Sequence, residues 1–358
     1  MDSPYARELA LSFGALRQAA QLSQSIISSR DKGVTEKDDL SPVTVADFAV
    51  QALLIATFKS AFPEDTFVGE ENASALRENS NLLRRVWELL QKSQLGPDAQ
   101  SCAVPTSEEH MCDLIDLAGS STPSKAGRTW IFDPIDGTKT YVRGELYAIN
   151  IGLLVDGKQT LGSVGCPNMS INAAAPLRNE NIDPAGDGCI VYAVRGYGTH
   201  ARSMKAPVSD TSDRHVSRVS TTSDDIRFVT CVGIVDSALD NVHEVIATRL
   251  SANFPGCDLV PWVLRWATLA LGLGNTTVWV YKKRDRYAKS WDHAGAMLLF
   301  EEAGGKITDV LGRDIELTAG RKMSGNFGFV AAPDHLHGRV LEAVQEVLRE
   351  MGHEEMLA

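Results

Sequence analysis

A layered α/β fold, with strands packed against helices rather than a bundle or a β-sandwich, is what the sequence predicts. Strand-like apolar runs such as "TWIFD", "AINIGLLV" and "CIVYAV" end mostly at Gly, Asp or Pro. Helical periodicity intervenes between such runs, as it does over residues 236–251 and 334–350. The 358 residues, 44% hydrophobic and 23% charged, suffice for one large or two moderate soluble cores.

The elements follow in order. Leu9, Phe13, Leu16, Ala20 and Ile27 recur at helical spacing within residues 6–29, so an amphipathic helix opens the chain. "DKGVTEKDDLSP" is polar and reads as a turn or loop. A second helix is expected from near Thr44 to before Pro63. "TFVGEE" reads as a short strand entering a turn. Residues 72–128 are more polar, with one helix at 82–93 and a loop holding Pro97, Pro105 and Pro123. After Arg128 the character changes. Strands are expected at "LGSVGC", "FVTCV", "TTVWVYK" and "FGFVAA" besides the three above. Helices are expected near 236–251, 259–272, 292–303 and 334–350, and residues 203–226 read as a polar connector. A weak boundary near 155–160 divides an N-terminal α+β unit, 1–157, from a C-terminal α/β unit, 158–358.

The net charge of −11 offers no broad basic field, which argues against a partner that is a nucleic-acid polymer or an anionic membrane. A small phosphorylated substrate at a local cationic site remains compatible with it. No apolar run of about 18 residues occurs, and the first residues show no secretory pattern. Six scattered cysteines form no CxxC pair, which suits reduced, buried thiols in a cytoplasmic protein.

Acidic residues stand where apolar elements end or begin. In "WIFDPIDGTK" a buried strand runs into Asp133 and Asp136, and the proline between them fixes the turn. Carboxylates there are costly to desolvate unless cations meet them. Asp47 in "SPVTVADF", Glu70 in "FVGEE" and Asp292 in "KSWDHAG" complete a set of five. Each of these three has an ordinary alternative. Asp47 lies at capping-box distance from Thr44, Asp292 is placed to cap a helix, and Glu70 can be a surface turn residue. Taken together, an oxygen-only set of carboxylates suits Mg2+ or Mn2+, and two such ions can clamp a phosphoryl transfer. Gly137-Thr138 would then open a helix whose N–H groups hold a phosphate. "HMCD" at 110–113 lacks a second metal-binding half.

"DPIDGTK" followed far downstream by "WDHAGA" resembles the inositol monophosphatase superfamily of lithium-sensitive, magnesium-dependent phosphatases. "SPVTVADFAVQ", "GEE", "RGELYAINIGLLVDGK", "GCPN", "AVRGYG", "LALGLG" and "EEAGG" are similar, in the same order, to its fungal 3'(2'),5'-bisphosphate nucleotidase branch. The likeness covers nearly the whole chain. It implies an α/β/α/β/α sandwich. It implies a first metal on Glu70, Asp133 and the carbonyl of Ile135, a second on Asp133, Asp136 and Asp292, and a looser third ion or its water at Asp47. Thr138 with Asp47 would orient and deprotonate the attacking water. The default substrate would be adenosine 3',5'-bisphosphate, cleaved to AMP and phosphate, or the related phosphosulfate. The protein would be a monomer or homodimer.

The substrate side departs from the family pattern. "DGTKGF" becomes "DGTKTY", with Thr140 and Tyr141. A nucleotide-contacting His is missing from "CVGIVDSALDN", and His243 is the nearest. A family serine, lysine and arginine become Trp262, Arg265 and Trp279. Two readings follow. The indoles are repacked core and Arg265 takes the lysine's role as phosphate ligand, or the polar contacts are lost and specificity has moved to inositol phosphates or another phosphorylated metabolite. A silent binding relative is the rival from outside enzymes; the presence of all five acids and Thr138 argues against it.

Overall fold

The computed structural model describes residues 3–28, 35–36, 42–43, 45–93, 102–208, 210, 212–217, 223–232 and 237–358. Helix α1 (Ala6–Ser28) buries Leu9, Phe13, Leu16 and Ala20, as the spacing predicts. A two-residue ladder, β1 (Thr35–Glu36) with β2 (Pro42–Val43), precedes α2 (Val45–Ala61). Thr44, where that helix and its capping box were expected to start, lies outside the described residues. Every residue of α2 from Val45 to Phe58 is buried, so this is an interior helix rather than an amphipathic one.

Next come β3 (Thr66–Gly69), α3 (Ser74–Glu78), α4 (Ser80–Ser93) and α5 (Glu108–Ser120). The last of these corrects the expectation of a loop. Ser107 caps it by accepting from His110 N at 3.0 Å, and Met111, Cys112, Leu114, Ile115 and Ala118 form its buried face.

The principal sheet is built from β3, β4 (Arg128–Asp136), β5 (Ala148–Val155), β6 (Lys158–Cys166), β7 (Cys189–Val194), β8 (Thr199–Ser203) and β9 (Arg214–His215), in that order, with α6 (Thr138–Arg143) after β4. Only the β3–β4 pair is parallel. Two of its strands were not anticipated: β8, and β9, which lies inside the expected connector. The division placed between 157 and 158 falls in the turn of the β5–β6 hairpin, where Val155 pairs with Lys158.

The remaining elements are β10 (Val229–Thr230), α7 (Val242–Arg249), β11 (Cys257–Asp258), α8 (Trp262–Ala270), β12 (Thr277–Trp279), α9 (Ala296–Glu302), β13 (Gly305–Thr308), β14 (Phe329–Pro333) and α10 (Asp334–Glu350). A second sheet takes the order β12-β14-β13 and is antiparallel.

Alternation along the large sheet assigns its two faces. Trp130 and Phe132 join a core with α1, α2, α4 and α5. Ile131 faces the other core, shared with α7 to α10. Helix α9 contacts β6 and β7 on one side and β13 on the other, while α10 covers β13 and β14. The layers are therefore helices, sheet, helices, sheet, helices, the expected α/β/α/β/α arrangement.

Candidate active site

The site forms where β4 ends. Asp133 pairs with Asn150 and Asp136 with Ala148, and the ladder breaks between them. Pro134 has no N–H to donate, so the strand bulges there and both carboxyls stay at one strand end. Ile135 N donates to Asp133 Oδ1 at 3.1 Å. The hydroxyl of Thr138 donates to the Ile135 carbonyl at 3.4 Å.

Asp292 arrives from a 3-10 turn, Ser290–Asp292, between β12 and α9. One carboxylate oxygen from each of Asp133, Asp136 and Asp292 lies within 4.8 Å of the others. Asp133 and Asp136 are buried and Asp292 is half-buried. Glu70, just past β3, and Asp47, in the first turn of α2, lie close enough to act on Asp133 electrostatically. Three of the five acids of the sequence reading thus come together, with Glu70 and Asp47 within electrostatic reach of Asp133.

Their electrostatics follow from crowding. Burial, then Glu70, Asp136, Asp292 and Asp47, push the Asp133 carboxyl well above the usual carboxylate range. Burial, Asp136 and Glu70 do the same to Asp292, with Lys289 opposing. Burial lifts Asp136 to about 7. It is held lower than its neighbours by N–H groups at the start of α8 and by Arg265; Val263 N reaches Asp136 Oδ2 at 2.5 Å. A clustered, oxygen-only donor set with repelling negative charge fits a hard divalent cation.

A pH dependence follows. These carboxyls hold protons more tightly folded than unfolded. Below about pH 4 both states are protonated. As pH rises toward the folded value, about 7 for Asp136, the unfolded chain loses its proton first and folded stability declines. With EDTA present, Tm is expected to fall by several degrees between pH 5 and pH 8. Magnesium should restore it, more strongly at the higher pH because binding displaces protons. Thermal melts across that range check this; a flat profile in EDTA would contradict the crowding.

Several supporting residues escaped the sequence reading. Asn150, a lone amide in the apolar strand β5, donates to the Trp291 and Ala294 carbonyls at 2.7 and 2.8 Å and so fixes the loop carrying Asp292. A polar residue inside "AINIGLLV" was the available signal. Gln51 brackets the Glu71 peptide, accepting from its N–H at 2.8 Å and donating to its carbonyl at 2.7 Å. His293, beside Asp292, turns away from the cluster. Its Nδ1 accepts from Trp266 Nε1 at 3.0 Å, and burial keeps the ring neutral.

The proposed substrate residues divide. Gly137 adopts φ +84° ahead of α6, and a Cβ there would sit 2.4 Å from Pro261 Cγ, so only glycine fits. Thr140 donates to the Gly137 carbonyl at 2.8 Å and buried Tyr141 to the Ser23 carbonyl at 2.9 Å, so the core absorbs this departure. Arg265 is 2% exposed. Its Nε donates to the Leu259 carbonyl at 2.8 Å and Nη2 to that of Val260 at 2.9 Å. Its guanidinium lies over Trp262 and Trp279, 4.1 and 4.7 Å from their centroids. Trp279 is 2% exposed and stacks on His243, a neutral buried ring whose pKa burial lowers to about 4. Of Trp262, Arg265, Trp279 and His243, Trp262 alone is half-buried.

With the geometry in place, likeness to known proteins can be read. A family model described as the inositol monophosphatase family matches residues 6–349. The chain belongs to the inositol monophosphatase family. Within it, the 3'(2'),5'-bisphosphate nucleotidase of Emericella nidulans is 35% identical over 359 residues, covering 96% of this chain and 99% of that protein. The Schizosaccharomyces pombe protein of the same name is 34% identical, with 98% of each chain covered. Among solved structures, an IMPase of Thermotoga maritima superposes with a TM-score of 0.60 at 19% identity, covering 97% of this chain and all of that one. That last likeness speaks for the fold.

No helix among the described residues is long and apolar enough to cross a membrane.

Proposed function

We propose that this family member is a phosphoric monoester hydrolase that removes the 3'-phosphate of adenosine 3',5'-bisphosphate, giving AMP and phosphate, with the phosphosulfate as second candidate substrate. The convergence of Asp133, Asp136 and Asp292 carries the reading. The nearly full-length bisphosphate nucleotidase relatives support it. Glu70, Asp133 and the Ile135 carbonyl would hold one Mg2+, and Asp133, Asp136 and Asp292 a second. A third would sit near Asp47, and Mn2+ would serve in place of Mg2+. Bound ions offset phosphoryl charge and make water a stronger nucleophile at neutral pH.

The chain's own residues do the rest. The Thr138 hydroxyl, placed by the Ile135 carbonyl, orients the attacking water, and Asp47 accepts its proton. Amides at Gly137 and Thr138 hold the phosphate. The N–H of Val263 fixes one oxygen of Asp136. Water attacks in line: its oxygen bonds to phosphorus, the bond to the ester oxygen breaks, and that oxygen takes up a proton. Inhibition by Li+, a cytoplasmic location, and a monomeric or homodimeric state belong to the same reading.

A second reading has one observation in its favour. The buried guanidinium of Arg265 gives Nε and Nη2 to two backbone carbonyls and lies over two indoles, leaving only the buried Nη1 for a second phosphate. This favours an inositol phosphate or another phosphorylated metabolite. Phosphate release from adenosine 3',5'-bisphosphate, inositol monophosphate and an inositol bisphosphate, with Mg2+ or EDTA, separates the two. The bisphosphate nucleotide is expected to give the highest kcat/KM, and EDTA to abolish it. Faster release from an inositol phosphate would transfer the assignment. No release from any would leave a binding protein.

A further inference from the structure

Arg321 lies at least 29 residues (321 − 292) from each of the five clustered acids in sequence, yet it meets the segments that carry two of them. It sits between β13 and β14. Its Nη2 donates to the carbonyls of Gly69 at 2.6 Å and Glu70 at 3.2 Å. Its Nη1 donates to the carbonyls of Ala118 at 3.0 Å and Ser121 at 3.1 Å, at the C-terminal end of α5. Its guanidinium carbon lies 4.7 Å from the ring centroid of Trp291, the residue before Asp292. Its own carbonyl accepts from Ser290 N at 2.9 Å. A planar fork of N–H donors can serve four carbonyls at once; an ammonium cannot.

The need for such a joint is electrostatic. Glu70 and Asp292 repel each other and Asp133. They stand on segments 222 residues apart (292 − 70) that no shared strand holds together. Gln51 secures the Glu71 peptide to α2, and Asn150 secures the Asp292 loop to β5. Arg321 bonds to both segments.

We propose that Arg321 is a positioning residue: by bonding the Glu70 backbone on one side and the Ser290–Trp291 backbone and ring on the other, it sets the spacing of the carboxylates and so their affinity for a divalent cation. The proposal rests on the reading that this cluster binds such a cation. Partners that orient ligand groups without touching the metal are commonly worth 10- to 100-fold in metal affinity.

Calorimetric titration of the full-length, metal-free protein with MgCl2, without substrate, is the test. Arg321→Met is expected to weaken Mg2+ binding by about tenfold or more. The Mg2+ concentration for half-maximal phosphate release should rise by a similar factor, with kcat largely recovered at saturating Mg2+. Arg321→Lys keeps the charge but loses the fork, and should fall between, about threefold weaker than wild type. If Arg321→Met does not fold, the lysine variant decides, and wild-type affinity there overturns the proposal. Arg202→Met is the structural control. Arg202 is a buried arginine of β8 that donates to the Pro207 and Asp210 carbonyls, so its loss should lower Tm while leaving Mg2+ affinity unchanged. Equal weakening in Arg202→Met and Arg321→Met would reduce Arg321 to a fold staple and overturn the positioning role. Asp133→Asn marks the other failure. If it binds Mg2+ as wild type does, the cluster is not the cation site, and that reading falls before Arg321 is reached.

Discussion

Asp133→Asn is expected to lower kcat by at least about 1,000-fold, with the fold intact. Asp133 is the carboxylate on which Glu70, Asp136, Asp292 and Asp47 all act, and it would serve both proposed ions. Asparagine keeps the shape and one oxygen but removes the charge. Several kcal/mol of transition-state stabilisation are at stake, and each 1.36 kcal/mol is tenfold in rate. The same change should leave the metal-free protein as stable as wild type or more so, because it relieves repulsion among buried acids. Activity that collapses while Tm in EDTA holds or rises is the mark of a residue kept for chemistry rather than packing. Phosphate release, circular dichroism and thermal melts measure it. Near-normal turnover would remove the carboxylate cluster from the mechanism.

The carboxylates were legible because charge at the end of an apolar run violates ordinary burial, and such conflicts mark functional positions. The apolar runs were legible for the same physical reason: β5, β7 and α10 keep the bounds read from turn residues and periodicity. Helix α5 was obscured by polar flanking sequence, although Ser107 followed by two glutamates and an apolar face at helical spacing announced it. Strand β10 falls inside the expected "FVTCV", whereas the two-residue strands β9 and β11 owe their existence to neighbours, since so short a strand has no local signature. The partners of Arg265, and Arg321 altogether, were beyond reach. Both are cations whose acceptors are backbone carbonyls, and a carbonyl carries no residue identity that a sequence could display. Arg265 was accordingly offered as a phosphate ligand in one of two readings, and the hydrogen bonds of its Nε and Nη2 lie to the loop entering α8.

Gly162→Ala is expected to be among the most damaging single-atom additions in the chain. The Asp292 loop and α9 lie directly on the large sheet. A Cβ at Gly162 in β6 would fall 2.0 Å from the Gly295 carbonyl oxygen, and one at Gly152 in β5 would fall 2.6 Å from that of Ala294. Both obstacles are backbone, which cannot swing aside as a side chain can. Gly295 is already bound there, donating to Gln159 Oε1 at 2.9 Å, and its φ of +82° leaves it little room to re-form elsewhere. The loop must lift, carrying Asp292 away from Asp133 and Asp136. A loss of about 3 kcal/mol in folding stability is expected, with weaker Mg2+ binding alongside. Gly338→Ala in α10 is the counterpart, because nothing lies within 4 Å of its added methyl. That change should leave the protein unchanged or more stable by up to about 1 kcal/mol. Urea denaturation of both variants, followed by Mg2+ titration, measures the contrast. Wild-type stability in Gly162→Ala would mean that the loop does not rest on the sheet as closely as the backbone contact requires, and the path by which β5 and β6 place Asp292 would have to be redrawn.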